Sequence, residues 1–277
     1  MTMRPCGILV LGATLLIGVS GCMHIETAPL SRESAAEMLG QGLAALGATG
    51  SMVVAAEIGQ QMPEGLSAAE SLGSLEAWIQ TEMPCAVVLQ ELPLSRLTIQ
   101  FEGAGSGCVY AEANLGGGLM TRWLPREQGS WEVELTPEGF GAGPYGLQGN
   151  LFLREEAEGD RLLLDLYTGW TADARSMQGS GTIELNRGGG PSQLASRSLF
   201  LDLSWYDGSN RWELLGQDVW VAPGRSAPTA GTIGMADPVG RVATIEFEQF
   251  ASGTTRATFS GVRDPWTFEI NPSGQIL

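Results

Sequence analysis

The chain has 277 residues, with 31 acidic residues, 15 arginines, no lysine and a formal net charge of −16. Such a charge repels nucleic acid and anionic lipid headgroups, so neither is expected as a partner. The single histidine, His24, lies close to the N-terminus. This excludes Ser-His-Asp and Cys-His catalysis and an imidazole-based zinc site, and the absence of lysine excludes a serine–lysine dyad. No G-x-x-x-x-G-K phosphate loop occurs, and no cofactor is expected.

The first 21 residues have the pattern of a secretory signal peptide. Arg4 supplies one positive charge, and an uncharged apolar run extends from Gly7 to Val19. A run of this length is shorter than the roughly 20 apolar residues that span a bilayer as a helix. The run leads directly into the tetrapeptide Val19-Ser20-Gly21-Cys22.

This tetrapeptide resembles the lipobox of bacterial lipoproteins, in which an aliphatic residue and two small residues precede a modified cysteine. The resemblance implies cleavage between Gly21 and Cys22, with diacylglycerol on the Cys22 thiol. Acyl chains contribute about 0.8 kcal/mol per buried methylene, so two or three of them anchor a protein stably. By the sorting pattern of enteric bacteria, Met23 implies the outer membrane of a Gram-negative cell envelope. An ordinary signal peptide that contains a cysteine is the alternative.

Two cysteines remain after Cys6 leaves with the signal peptide and Cys22 receives lipid. In an oxidising compartment, Cys85 and Cys108 are predicted to form a disulfide that stabilises the fold by about 3 kcal/mol. A zinc site would need third and fourth ligands, so no metal is expected.

Residues 22–33 are predicted to be the lipidated cysteine and a short tether, and residues 34–84 a helical segment. Ser34 to Glu37 and Ser67 to Glu70 each fit a capping box. The second helix carries apolar residues at helical spacing and ends at Pro84. The apolar stretch from Met38 to Gly59 is interpreted as helix packed on a sheet, although a membrane hairpin is an alternative.

Residues 85–277 are predicted to be a β-rich domain, because the apolar period changes to two. Four segments show the alternation most strictly: 97–101, 131–135, 199–205 and 266–270. Asp207-Gly208 and Asp237-Pro238 mark turns between strands. The predicted fold is mainly β, an antiparallel meander forming a sandwich or a curved half-barrel-like sheet. Two or three N-terminal helices pack on it, in one globular unit with residues 34–84.

Two residue types supply candidates for a site. Trp170, Trp205 and Trp212 lie at strand ends or beside a turn, where exposed indoles can stack on sugars or anchor a protein interface. Four carboxylates on strands could serve a glycoside hydrolase, although alternation assigns them to the polar face. They are Asp165, Asp202, Glu246 and Glu269. A cluster of acidic residues at 155–160 is a weaker calcium candidate.

The leading functional hypothesis is a membrane-anchored cell-envelope lipoprotein with a non-catalytic binding or structural role. Its partners would be the membrane, through Cys22, and a protein or glycan. The main alternative resembles periplasmic half-barrel carriers of lipid, with an apolar cavity on the concave face of the sheet. Its predicted lining is Leu162, Leu164, Leu166, Leu199, Leu201, Leu203, Ile245 and Phe247.

Overall fold

The computed structural model describes ten segments of the chain. They are residues 30–61, 67–91, 95–101, 108–110, 112–125, 131–155, 161–172, 175–186, 198–260 and 265–277. The predicted signal peptide, Cys22 and the acidic cluster at 156–160 lie outside the described residues.

The first helix, α1, extends over Arg32–Gly59. Its N-cap is Ser31, whose Oγ accepts a hydrogen bond from the Ser34 backbone N–H at 3.1 Å. The predicted capping box at Ser34 is therefore wrong in position, because the extended serine three residues earlier caps the helix and Ser34 lies in its first turn. The last two residues of the predicted tether are consequently helical.

The second helix, α2, extends over Ala68–Glu82 and confirms the capping box predicted for it. The Ser67 Oγ accepts from the Glu70 backbone N–H, and the Glu70 carboxylate accepts from the Ser67 backbone N–H at 2.9 Å. Leu72, Leu75 and Ile79 are fully buried on one face. The helix ends two residues before Pro84, as proline geometry requires.

Fourteen strands follow within the described residues. They are β1 (Val87–Glu91), β2 (Arg96–Phe101), β3 (Cys108–Tyr110), β4 (Ala113–Pro125), β5 (Trp131–Ala142), β6 (Tyr145–Glu155), β7 (Arg161–Ala172), β8 (Arg175–Asn186), β9 (Leu199–Asp207), β10 (Asn210–Trp220), β11 (Ala230–Ala236), β12 (Val242–Gln249), β13 (Thr255–Ser260) and β14 (Thr267–Ile270).

These strands form one antiparallel sheet in the order β1-β2-β4-β5-β6-β7-β8-β9-β10-β11-β12-β13-β14, and β3 also pairs with β4. β2 pairs with β4 and not with β3, and every other strand is hydrogen-bonded to the strand that follows it in the chain. The predicted antiparallel meander with N-terminal helices is confirmed. The sheet is a single one and not a sandwich of two.

The inward face of the sheet packs on α1. In β7, Leu162, Leu164 and Leu166 are buried, whereas the flanking Arg161 and Tyr167 are exposed. All eight residues predicted to line a carrier cavity point inward and are at most 5 % exposed. They share one apolar core with α1.

α1 occupies the centre of this core. It contacts β5, β6 and β7, and a β-carbon on Gly42 would lie 3.3 Å from Ile233 Cδ1 in β11. α1 has the length and composition of a membrane span, with a mean hydropathy of 1.4 in its most apolar window, yet 94 % of that window is buried inside the fold. The described contacts therefore support the interpretation of this segment as a helix packed on the sheet.

The predicted disulfide is confirmed. Cys85 and Cys108 are bonded, with their Cα atoms 5.5 Å apart. Because Cys85 lies three residues after α2 ends, the bond joins the end of that helix to β3.

Candidate functional site

The three tryptophans predicted as binding residues lie in the core. Trp170, Trp205 and Trp212 are 2 %, 0 % and 3 % exposed, so the expectation that they stand on the surface is wrong. Strand alternation continues to the ends of β7, β9 and β10, which keeps all three indoles on the inward face. Trp205 and Trp212 are directly opposite each other in the β9–β10 register.

Two of these indoles pack together beside α1. The ring centroids of Trp170 and Trp205 are 6.1 Å apart, and the indole N–H of Trp205 donates to Gln41 Oε1 at 3.4 Å. Gln41, itself buried, donates through Nε2 to Asp207 Oδ2 at 2.7 Å. This buried polar chain fixes the N-terminal half of α1 to the β9–β10 hairpin.

The four strand carboxylates lie on the outward face. Asp165 forms an ion pair with Arg154 at 3.0 Å. Asp165 and Asp202 are both opposite Thr182 in the register, which separates their backbones by two strand spacings, or about 10 Å. Glu246 and Glu269 are also exposed on their strands. The outward face presents these groups to open solvent, whereas a glycosidase needs its carboxylates to flank a cleft.

Within the described residues, no group of three or more histidine, cysteine, aspartate or glutamate side chains is close enough together to hold a metal ion.

The structure brings distant residues together around a cavity beside α1, the α1 cavity, which the sequence did not indicate. It has a volume of about 410 Å³, near the lower end of the range of about 300–1,000 Å³ for small-molecule sites. Its lining is Gly40, Leu43, Ala44, Tyr145, Ala172, Arg175, Ser226, Ser273, Gly274, Gln275 and Ile276.

The floor of the α1 cavity is formed by the part of α1 that the surrounding core leaves uncovered. From Met38 to Gly59 every α1 residue is buried except Gly40 and Ala44. These two residues are one helical turn apart and therefore share a face. No atom lies within 4 Å of a β-carbon placed on Gly40, so open space adjoins the helix at this position.

One wall of the α1 cavity is the C-terminal turn. The Asn271 Oδ1 accepts hydrogen bonds from the backbone N–H groups of Ser273 and Gln275 at 3.1 and 2.9 Å. Gly274 has φ +85°, which favours glycine, and the Leu277 N–H donates to the Glu269 carbonyl at 2.8 Å. These bonds fold the last residues back along β14 and hold Ser273 to Ile276 against the opening.

Two polar side chains of the lining lack partners. Among the described residues, Arg175 forms no ion pair, hydrogen bond or aromatic contact, and the Ser226 hydroxyl forms no hydrogen bond. Ser226 is only 4 % exposed, and its Oγ lies against Gly274, where a β-carbon would overlap it. Arg175 and the Ser226 hydroxyl therefore give the α1 cavity hydrogen-bonding groups that a ligand could engage.

A second depression lies on the outward face, between β6, β7 and β8. It is lined by Gln148, Gly149, Tyr167, Thr168, Gly169, Gln178 and Gly179. Tyr167 is 67 % exposed, and its ring is 6.4 Å from that of Phe152. None of these lining residues is charged, which distinguishes this depression from the α1 cavity.

Sequence reasoning missed the α1 cavity because its lining comes from five distant parts of the chain. Only the turn at Asn271-Pro272 has a local signal. Gly40 and Arg175 look like an ordinary helix glycine and an ordinary strand arginine.

No protein-family model matches the sequence, and neither a curated protein nor a solved structure is significantly similar to it.

Proposed function

We propose that this chain is a lipid-anchored protein of the cell envelope with a non-catalytic binding role. The observation that carries the binding role is the α1 cavity, where an otherwise enclosed core helix meets open space beside an unpaired arginine and a buried hydroxyl. The proposal of an anchor is supported by the lipobox-like residues 19–22 and by the signal-peptide pattern that precedes them.

Binding agrees better than catalysis with the chemistry of the lining. Among the described residues, the lining of the α1 cavity contains no carboxylate, histidine, lysine or cysteine, and Arg175 stays protonated and cannot act as a base. The remaining polar groups are hydroxyls and an amide, which position ligands but need an adjacent base to become nucleophiles. We therefore propose that the chain binds without converting its ligand.

A carrier for long acyl chains is the alternative. Its ligand would require the space that α1 now fills, because the inward leucines of β7 and β9 pack in the same core as the helix. The α1 cavity offers a smaller volume at one side of α1, and we propose a small ligand for it.

Native mass spectrometry on the full chain tests the proposed function. The protein is expressed with its signal peptide, extracted from membranes in a sugar-headed detergent, and compared with Cys22→Ala. We expect wild type to carry the mass of diacylglycerol or a triacyl group, and a further non-covalent mass that denaturation removes. An unmodified Cys22 would contradict the anchor, and the absence of any co-purifying small molecule or protein would contradict the binding role.

The outward depression supports a glycan as a second binding candidate. Exposed tyrosine beside the amides of Gln148 and Gln178 supplies a stacking surface and hydrogen-bonding groups. We expect Tyr167→Ala to abolish retention of the full chain on immobilised envelope polysaccharide, while Tyr206→Ala, a similarly exposed control, leaves retention unchanged. Equal retention of all three proteins would reject this candidate.

A further inference from the structure

We propose that the ligand of the α1 cavity is a small amphiphilic anion, a single apolar chain or fused-ring group that carries one acidic substituent. The apolar part lies over Gly40 and Ala44, and the acidic group is bound by Arg175 and by the Ser226 hydroxyl. This inference rests on the proposed binding function and specifies the chemistry of its ligand.

The size of the α1 cavity selects a single small molecule. A volume of about 410 Å³ lies near the lower end of the range for small-molecule sites and is enough for one small ligand. The C-terminal turn and Tyr145 limit extension in two directions, because both form part of the lining.

The apolar part of the proposed ligand is inferred from α1 and its neighbours. Leu43 and Ala172 are 3 % and 2 % exposed and line the α1 cavity together with Ala44 and Ile276. Gly40 and Ala44 add no polar side-chain atom to the floor. Burial of apolar ligand surface here removes that surface from water and stabilises the bound state by about 25 cal/mol per Å².

The negative charge of the proposed ligand is inferred from Arg175. Ten arginines have described side chains, and nine of them form an ion pair with a carboxylate or lie over an aromatic ring. Arg175 is the exception among these ten. In a chain with 31 acidic residues, an arginine left without a carboxylate at the rim of a cavity is available to an external anion.

Ser226 provides the second polar contact. Its side chain is nine-tenths buried, it lines the same cavity, and its hydroxyl has no partner among the described residues. A hydroxyl can donate to an acidic oxygen while Arg175 neutralises the charge. The two groups therefore recognise a carboxylate, sulfonate or phosphate in preference to a neutral head.

A pair of fluorescent probes tests the ligand class. 8-Anilinonaphthalene-1-sulfonate has an apolar ring system and a sulfonate, and N-phenyl-1-naphthylamine has the same rings without the charge. The mature lipidated protein is placed in phosphatidylcholine nanodiscs, and fluorescence from protein-free discs is subtracted. We expect the wild type to bind both probes and to prefer the sulfonate.

Two matched pairs of variants locate the site. Gly40→Leu places an apolar side chain in the α1 cavity, and Gly73→Leu makes the same change on exposed α2; at both positions a β-carbon meets no atom within 4 Å. Arg175→Gln is compared with Arg211→Gln, which removes an exposed arginine paired with Glu213. Thermal unfolding by circular dichroism establishes that all four variants are folded.

We expect Gly40→Leu to abolish binding of both probes and Gly73→Leu to leave it intact. Arg175→Gln should weaken binding of the sulfonate probe about three- to tenfold and leave the affinity for the neutral probe unchanged. Equal affinities of Arg175→Gln and Arg211→Gln, or of Gly40→Leu and Gly73→Leu, would overturn the inference. Failure of the wild type to bind either probe would also overturn this ligand class, whereas the co-purifying mass tests the binding function independently.

Discussion

The two helices begin alike and end in different environments. In each, a serine with extended backbone accepts a hydrogen bond from the N–H three residues later. Beyond this cap, α1 is enclosed on nearly every side from Met38 to Gly59, whereas α2 buries one face and exposes the other. The caps therefore determine where the helices begin, and packing against the sheet determines how much of each is buried.

The glycines show the same difference at the level of single atoms. A β-carbon on Gly47 of α1 would overlap the buried ring of Tyr145, whereas one on Gly73 of α2 would meet no atom within 4 Å. Glycine in α1 permits close approach of the sheet, while glycine in α2 only weakens an exposed helix.

The largest expected effect concerns α2, which depends on the disulfide for its attachment. Replacing Cys85 and Cys108 together by alanine should lower the free energy of unfolding by about 3 kcal/mol, because the unfolded chain regains the entropy of the closed loop. Urea unfolding followed by tryptophan fluorescence measures this change. A midpoint equal to that of wild type would show that packing alone holds the end of α2.

A buried serine should be the most sensitive polar residue of α1. Ser51 Oγ accepts from the Ala142 N–H at 2.9 Å and donates to the Tyr145 carbonyl at 3.0 Å. Ser51→Ala leaves both backbone groups buried without this partner and should cost about 2 kcal/mol. Thr81→Ala, which removes an exposed bond to the Ala77 carbonyl in α2, is the control and should cost little. Equal losses in the two variants would remove the distinction between the helices.

The same glycine substitution should have opposite signs in the two helices. Gly47→Ala should destabilise by about 1–2 kcal/mol, because displacement of the Tyr145 ring outweighs the gain in helix propensity. Gly73→Ala should stabilise by up to about 1 kcal/mol through propensity alone. Paired urea titrations measure the sign of each change in the free energy of unfolding. Stabilisation by both substitutions would mean that the Tyr145 ring moves aside without a cost in free energy.

The smallest expected effect is at the start of α2. Ser67→Ala removes the capping box and should cost about 1 kcal/mol. The hydrogen bond from the Ser67 side chain, followed by that from its backbone, lowers the pKa of Glu70 below its ordinary value. The stabilisation from Glu70 is therefore present above its unfolded pKa and is lost as pH falls through the folded pKa.

Carbon-13 titration of the Glu70 carboxyl measures this directly. We expect Ser67→Ala to raise the pKa of Glu70 towards its ordinary value. An unchanged titration curve for Glu70 in the variant would assign the lowered pKa to something other than the cap.

Much of the fold was predictable because it depends on neighbours in the chain. The cap at Ser67, the helix end before Pro84 and the alternation in β7 follow from contacts within a few residues. The Cys85–Cys108 bond followed from counting cysteines in an oxidising compartment. The antiparallel meander followed from strands separated by short turns, since such strands pair with their successors.

The sequence was misleading where residues from different strands share space. Trp170 stands beside a glycine at a strand end, which suggested exposure. Its indole is buried because Gly179, in the next strand, leaves room for it: a β-carbon there would lie 2.7 Å from the Trp170 ring. No pattern within either strand contains that relationship.

The sequence by itself determined the cap of α2, the alternation of the strands, the disulfide and the antiparallel meander, because each depends on local geometry or on a choice among very few partners. Only the tertiary structure decided that α1 packs on the inward face of the sheet and that Gly40, Arg175, Ser226 and the C-terminal turn line one cavity. The reason is physical: curvature and twist accumulate over all the strands of the sheet, and the space left beside α1 depends on their sum.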